Sequence, residues 1–184
     1  MKKRYAVLGA ISILLFVAGC TIGKDMTNTP TKQVEMMLTK YQTLDKDVLD
    51  DLDKVVAEDE NFDTKQREKY RTIMKKHYKD LVYTIKNETI NGDDATVEVE
   101  IEVVNHADTL KKAEEYRKKH EDEFNKDGKF DAGLYIDYKL KELEKDKEKV
   151  QYTLEVNVTK KDGKWQVNHL SNDDKQKIHG IYED

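Results

Sequence analysis

The sequence predicts an α+β domain: N-terminal helices packed on an antiparallel sheet, with a helical insertion between two hairpins. Three observations predict it. Apolar residues recur at three- and four-residue steps from Val34 to Val56 and again from Tyr70 to Tyr78, the period of a helix with one buried face. Apolar and polar residues alternate over 95–103 and 150–158, the period of a strand wet on one side. Asn91-Gly92 and Asp162-Gly163 each stand between two alternating runs, as hairpin turns do. The 184 residues suffice for one domain, and a single proline with eight glycines favours long regular elements over disorder.

The chain opens with Lys2, Lys3 and Arg4, followed by an apolar run from Tyr5 to Gly19. A membrane-spanning helix needs about 20 apolar residues, so this shorter run reads as the core of a signal peptide covering 1–19. It ends Val17-Ala18-Gly19-Cys20, an aliphatic residue and two small ones before a cysteine, which resembles the lipobox of bacterial lipoproteins. The expected chemistry is thioether attachment of a diacylglyceryl group to Cys20 and cleavage between Gly19 and Cys20. Two acyl chains meet the requirement of about two signals for stable anchoring, and Cys20 is the only cysteine, with no disulfide partner in the chain. Residues 20–29 then form the lipidated cysteine and a polar tether. Its nine residues after Cys20 reach at most roughly 30 Å, which holds the domain close to the bilayer. The expected location is the cell membrane, lipid-anchored on the extracytoplasmic face.

Residues 30–184 form the soluble domain. Thr29 can cap a helix that Pro30 opens, and the periodicity from Val34 through Leu44 and Val48 to Val56 predicts one unusually long helix. Asp59 to Asp63 breaks it, and Thr64 is expected to cap a second helix with Tyr70, Ile73, Met74, His77 and Tyr78 on one face. Leu81, Tyr83 and Ile85 then alternate with Val82, Thr84 and Lys86, Asn91-Gly92 turns, and Ala95 to Val103 form the cleanest strand, with Glu98, Glu100 and Glu102 on its wet face. Asp108 is expected to cap a third helix through Leu110, Ala113 and Tyr116. A loop from Asn125 to Gly133 leads to a fourth helix from Leu134 to Lys149. Val150 to Val158 is a strand, Lys161-Asp162-Gly163-Lys164 turns it into a short strand at Trp165 and Val167, and Ser171 to Gly180 encloses a short final helix.

This order of elements resembles the cystatin-like cone of the nuclear transport factor 2-like superfamily, in which a strongly curved sheet wraps around helices. Four stretches are also similar to a group of small uncharacterised lipoproteins of Gram-positive bacteria: Thr29-Pro30, Tyr78-Lys-Asp-Leu-Val-Tyr83, Asn91-Gly-Asp-Asp-Ala95 and Lys160-Lys-Asp-Gly-Lys-Trp165. The resemblance covers most of residues 29–182 and its motifs are structural. It carries no catalytic residue onto this chain, and the insertion at 105–149 departs from a compact cone.

The candidate chemistry is sparse. Glu123 to Leu134 places oxygen side chains at positions one, three, five and nine of a calcium-type loop with glycine at six, but position twelve, where a bidentate Glu belongs, is Leu134. His77, His106, His120, His169 and His179 show no metal-ligand spacing, and His77 falls on an apolar helix face, where a hydrogen-bonded core histidine is expected. For acid–base work inside a cone the candidates are Tyr83, Tyr152, His77 and His106. Both tyrosines are in phase with core positions, however, and no acid is in phase with the apolar face of a strand, so no catalytic residue, cofactor or metal is assigned. A net charge of −5, moving to −8 once Lys2, Lys3 and Arg4 are removed, excludes a nucleic-acid binder. The sequence therefore reads as a non-catalytic binding or accessory domain attached to a membrane through Cys20, with a protein or small-molecule ligand it does not identify. A small acid–base enzyme and a surface-exposed inhibitor or host-interaction protein are the alternatives.

Overall fold

The computed structural model describes residues 28–58 and 61–183. Gly19, Cys20 and all of the tether before Asn28 lie outside the described residues. Helix α1 spans Pro30–Gln42; the Thr29 hydroxyl accepts from Lys32 N at 3.1 Å, and Pro30 takes the first helical position. The expected long helix is in fact two. Thr43 closes α1 by donating its N–H to the Thr39 carbonyl at 2.9 Å, Leu44 adopts a left-handed φ of 55°, and Asp45 Oδ1 accepts from Asp47 N at 3.1 Å to open α2, Lys46–Glu58. The apolar period runs through the break because Leu44 and Val48 still pack with Tyr41 on one cluster, so periodicity alone could not reveal local capping.

Helix α3, Thr64–Lys79, is capped by Asp63 and not by Thr64. Asp63 Oδ1 accepts from Gln66 N at 2.8 Å and Gln66 Oε1 accepts from Asp63 N at 3.0 Å, a reciprocal box. Strands β1, Val82–Asn91, and β2, Asp94–Val104, follow as a hairpin. Helix α4, His106–Lys119, is capped by Asn105 Oδ1, which accepts from the N–H of Asp108, the residue expected to cap it. The expected loop at 125–133 contains a small hairpin, β3 Asn125–Lys126 and β4 Lys129–Phe130. Asp131 caps α5, Ala132–Lys145, which starts two residues earlier and ends four earlier than the periodicity indicated. Strands β5, Lys149–Lys161, and β6, Lys164–Val167, and helix α6, Asn172–His179, complete the chain.

The main sheet has the order β1-β2-β5-β6 and is antiparallel throughout. Register aligns side chains in rows: Tyr83–Ile101–Tyr152, Ile85–Val99–Leu154 and Val103–Val150 on one face, and Thr84–Glu100–Thr153 on the other. The apolar face is closed by Val34 and Leu38 of α1 and Ile178 of α6. With Val97, Val99, Ile101, Leu154, Val156 and Val158 they form a core exposed by no more than 1%. Burial of each such side chain contributes about 1.5–3 kcal/mol. The other face is polar, with Lys86 paired to Glu100 at 2.8 Å.

A bulge between Ile85 and Asn87 shifts the phase of β1, so Glu88 pairs with core-facing Val97. An acid therefore does reach the helix side of a strand. Its Oε2 accepts from the N–H and hydroxyl of Thr31 at 2.8 and 2.7 Å. Helix α1 has no acidic residue in its first turn, and β1 supplies the negative charge its N-terminus favours.

Candidate functional site

The sheet-facing core is filled. Open space lies instead in the helical layer, where two smaller clusters meet: Leu52, Val56, Met74 and Tyr78 of α2 and α3, and Ile73, Ile136, Leu140 and Leu143 of α3 and α5. An apolar cavity of about 190 Å³ lies among Val55, Phe62, Tyr70, Leu110, Ile136 and His106. It adjoins a larger depression of about 610 Å³ that shares Val55, Tyr70 and Ile181 with it and adds Tyr41, Tyr78 and His179. At their common rim Val55 is 56% and Ile181 38% exposed, so two aliphatic side chains face water there. His106 also lines a cavity of about 110 Å³ bounded by His77, Val104 and Asp146.

His77 and His106 come together from α3 and α4, with ring centroids 4.7 Å apart and planes tilted by 34°. His77 Nε2 donates to the Ile178 carbonyl at 2.8 Å, as a core histidine should, while its Nδ1 is buried without a partner. Burial, reinforced by the neighbouring His106 ring, lowers its pKa to about 3. His106 is 3% exposed, and neither of its nitrogens has a hydrogen-bond partner. Its Nδ1 is 3.5 Å from Asp146 Oδ2, an oxygen already accepting from the Thr109 hydroxyl at 2.6 Å. Burial outweighs Asp146 and lowers the His106 pKa. The Tyr78 hydroxyl meets His179 Nδ1 at 2.9 Å; burial raises the tyrosine's pKa and lowers that of the histidine to about 4. Near neutral pH all three imidazoles are uncharged, and the site is a largely apolar pocket with a few polar atoms.

The end of α6 locks this arrangement. Gly180, at φ 69°, and Ile181 return their N–H groups to the Lys177 and Gln176 carbonyls, and Gly180 O accepts from Ala107 N at 2.8 Å at the start of α4. A Cβ on Gly180 would lie 2.1 Å from Val104 O and 2.9 Å from His77 Cε1.

Of the expected acid–base candidates, only His77 and His106 are brought together. Tyr83 and Tyr152 flank Ile101 on the sheet, and the Tyr152 hydroxyl donates to the Tyr182 carbonyl at 3.2 Å. The histidines' real neighbours, Asp146 and Ile178, lie about 40 and 100 residues away in sequence, beyond any spacing motif. In the calcium-type segment Glu123 accepts from the Tyr116 hydroxyl at 3.0 Å, and Asp131 Oδ1 accepts from Gly133 N and Leu134 N. Among the described residues no group of three or more His, Cys, Asp or Glu is placed to hold a metal ion, and no helix is long and apolar enough to cross a membrane.

No protein-family profile and no curated protein matches the chain. Among solved structures, a candidate lipoprotein (ycdA) from Bacillus subtilis matches with 16% identity and a TM-score of 0.43. The match covers 82% of this chain and 47% of the other, so this chain spans about half the length of that protein, and a likeness of this degree transfers neither fold nor function.

Proposed function

We propose that the chain is a lipoprotein held at the outer face of the cytoplasmic membrane by a diacylglyceryl group on Cys20. Its domain, of the cystatin-like, nuclear transport factor 2-like class, acts there as a non-catalytic receptor for a small, largely apolar molecule. The residues from Lys2 to Cys20 support the anchor. The single observation that carries the receptor reading is the 190 Å³ apolar cavity opening onto a depression whose rim exposes Val55 and Ile181. A dry apolar cavity of about 150 Å³ is enough to take up benzene, so one ring fits inside and a larger ligand extends into the depression.

Methyl-labelled full-length protein in nanodiscs, titrated with toluene, phenol and indole, tests this. The Val55, Leu110, Ile136 and Ile181 methyls shift and saturate, and Ile136→Trp, which fills the cavity, abolishes the effect. Spectra unmoved by all three compounds sink the receptor reading. For the anchor, Cys20→Ser eliminates incorporation of labelled palmitate; retained label sinks that part.

One contact favours a second reading, a small acid–base enzyme. His106, 3.5 Å from Asp146, borders the same cavity as an uncharged imidazole. Saturable hydrolysis of p-nitrophenyl acetate that disappears in His106→Phe supports it, and hydrolysis indifferent to that substitution discards it.

A further inference from the structure

We propose that the end of the sheet where the chain enters the domain lies against the bilayer that holds the acyl chains of Cys20, with Ile90, Lys160 and Trp165 at the lipid–water interface. This rests on the anchor reading above and adds an interaction surface to it; the receptor reading is independent of it.

Asn28 Oδ1 accepts from Trp165 N at 2.9 Å, and three residues later the N–H and hydroxyl of Thr31 donate to Glu88 Oε2. The chain therefore joins the domain between β6 and β1, close to both hairpin turns. Those turns adjoin each other, with Lys160 N donating to the Asp93 carbonyl at 2.7 Å. Asn28 stands eight residues after Cys20, a span of at most about 29 Å. Strand β2 has 11 residues from Asp94 to Val104, which puts the opposite end of the sheet roughly 33 Å further along. The end with the turns is thus the one a short tether confines near the bilayer, where the tether raises the local concentration of lipid and weak contacts count.

The side chains at that end suit an interface. Ile90 pairs with buried Ala95 and so belongs to the helix face of the sheet, yet it is 52% exposed. On the same face, Lys160 pairs with Trp165 two residues beyond the Val158–Val167 pair, toward the turn. Lys160 Nζ stands 5.6 Å from the centre of the half-buried indole. An indole, apolar but for one N–H, favours the boundary between hydrocarbon and water, and a lysine lays its apolar stem there with its charge in water. Lys160, Lys161 and Lys164 are offset by Asp93, Asp94 and Asp162, Lys32 pairs with Glu35 at 3.0 Å, and Glu88 is engaged by Thr31. With both signs balanced, the contact is apolar and aromatic in origin and needs no anionic lipid.

Trp165 is the only tryptophan of the chain, so its fluorescence reports on this contact alone. The full chain, matured in bacterial cells and checked for labelled palmitate, is placed in phosphatidylcholine vesicles with and without bromine on the acyl chains. The expected result is quenching of Trp165 by the brominated lipid, at least about twofold weaker in Ile90→Glu, because interfacial binding scales with buried apolar area. In methyl spectra of the same protein in nanodiscs with spin-labelled headgroups, Ile90 broadens and Val82, 55% exposed at the other end of β1, does not. If palmitate-bearing protein shows no quenching and Ile90 broadens no more than Val82, this proposal is overturned while the anchor stands. An Ile90 signal that differs between discs holding one and two copies of the chain, with Trp165 unquenched, gives the face to a second copy and also overturns it. Protein that carries no palmitate removes the anchor, and this proposal with it.

Discussion

His77 stands inside the helical layer with one nitrogen committed to the Ile178 carbonyl and the other unpartnered. Its ordinary value is 6.5 and its folded value about 3, burial being the main cause, with His106, His179 and Lys149 disfavouring the charge and the Ile178 carbonyl favouring it. Between those values the unfolded chain carries a proton that the folded chain lacks. Stability is therefore fully present above about pH 6.5 and is lost as pH falls toward 3, at about 1.4 kcal/mol per pH unit for this one group. His179, held near 4 by burial although part of its ring meets the open depression, acts in the same direction. Urea unfolding from pH 7.5 to 4.5 shows this decline, and His77→Gln, which keeps a donor for Ile178 but does not titrate, makes it shallower by about 1 kcal/mol per unit. An unchanged slope in the variant would place the acid sensitivity elsewhere. A core histidine was legible at this position from its apolar helix face. Its contact with the His106 ring was not, since that contact joins α3 to α4 across the chain.

Gly180 ends α6 where a stop signal was expected, yet its importance exceeds that of a helix end. A side chain there meets Val104 O at 2.1 Å, whereas a Cβ on Gly163, at the β5–β6 turn with φ 77°, meets nothing within 4 Å. Both positions charge a non-glycine residue about 1–2 kcal/mol for the left-handed backbone, so the difference between them isolates the close approach. Gly163→Ala is expected to cost only that, and Gly180→Ala at least about 2 kcal/mol more, because α6 must move off β2 and α4. Equal losses in thermal or urea unfolding would show that the docking of α6 adjusts freely. The contrast marks what the sequence made readable among the elements. Both hairpins, the register-setting turns at Gly92 and Gly163 and the limits of α6 follow from local chemistry, which these segments carry themselves. The errors fell where two local signals competed: Thr43 to Asp45 interrupted a continuous apolar period, Asp63 and Asn105 took the caps assigned to Thr64 and Asp108, and the Lys86 bulge turned Glu88 toward α1.

Across the molecule, the sheet with α1 and α6 holds the tightly packed core, and the looser helical layer holds the space. Strands β2 and β5 each have paired neighbours on both sides, and Val97, Val99, Ile101, Val103, Leu154, Val156 and Val158 on their inner face are exposed by no more than 1%. Among its described side chains helix α2 buries only Leu52 and Val56; it exposes Val55 by 56% and forms a wall of both the cavity and the depression. Location of the open space could not be read from periodicity, because α2, α3 and α5 each show an ordinary apolar face; the void comes from how those faces fail to close on one another. Few buried contacts and an exposed flank define a segment that opens below the free energy of global unfolding. Native-state hydrogen exchange in increasing urea should therefore separate α2 from β2. The α2 amides exchange with a lower opening free energy and little urea dependence, and the β2 amides follow global unfolding. The same opening gives a ligand its path past Val55 and Ile181, so access and weak packing are one property of this layer. If α2 amides instead join the β2 isotherm, the wall is as firmly held as the core, and entry to the cavity requires unfolding of the whole domain.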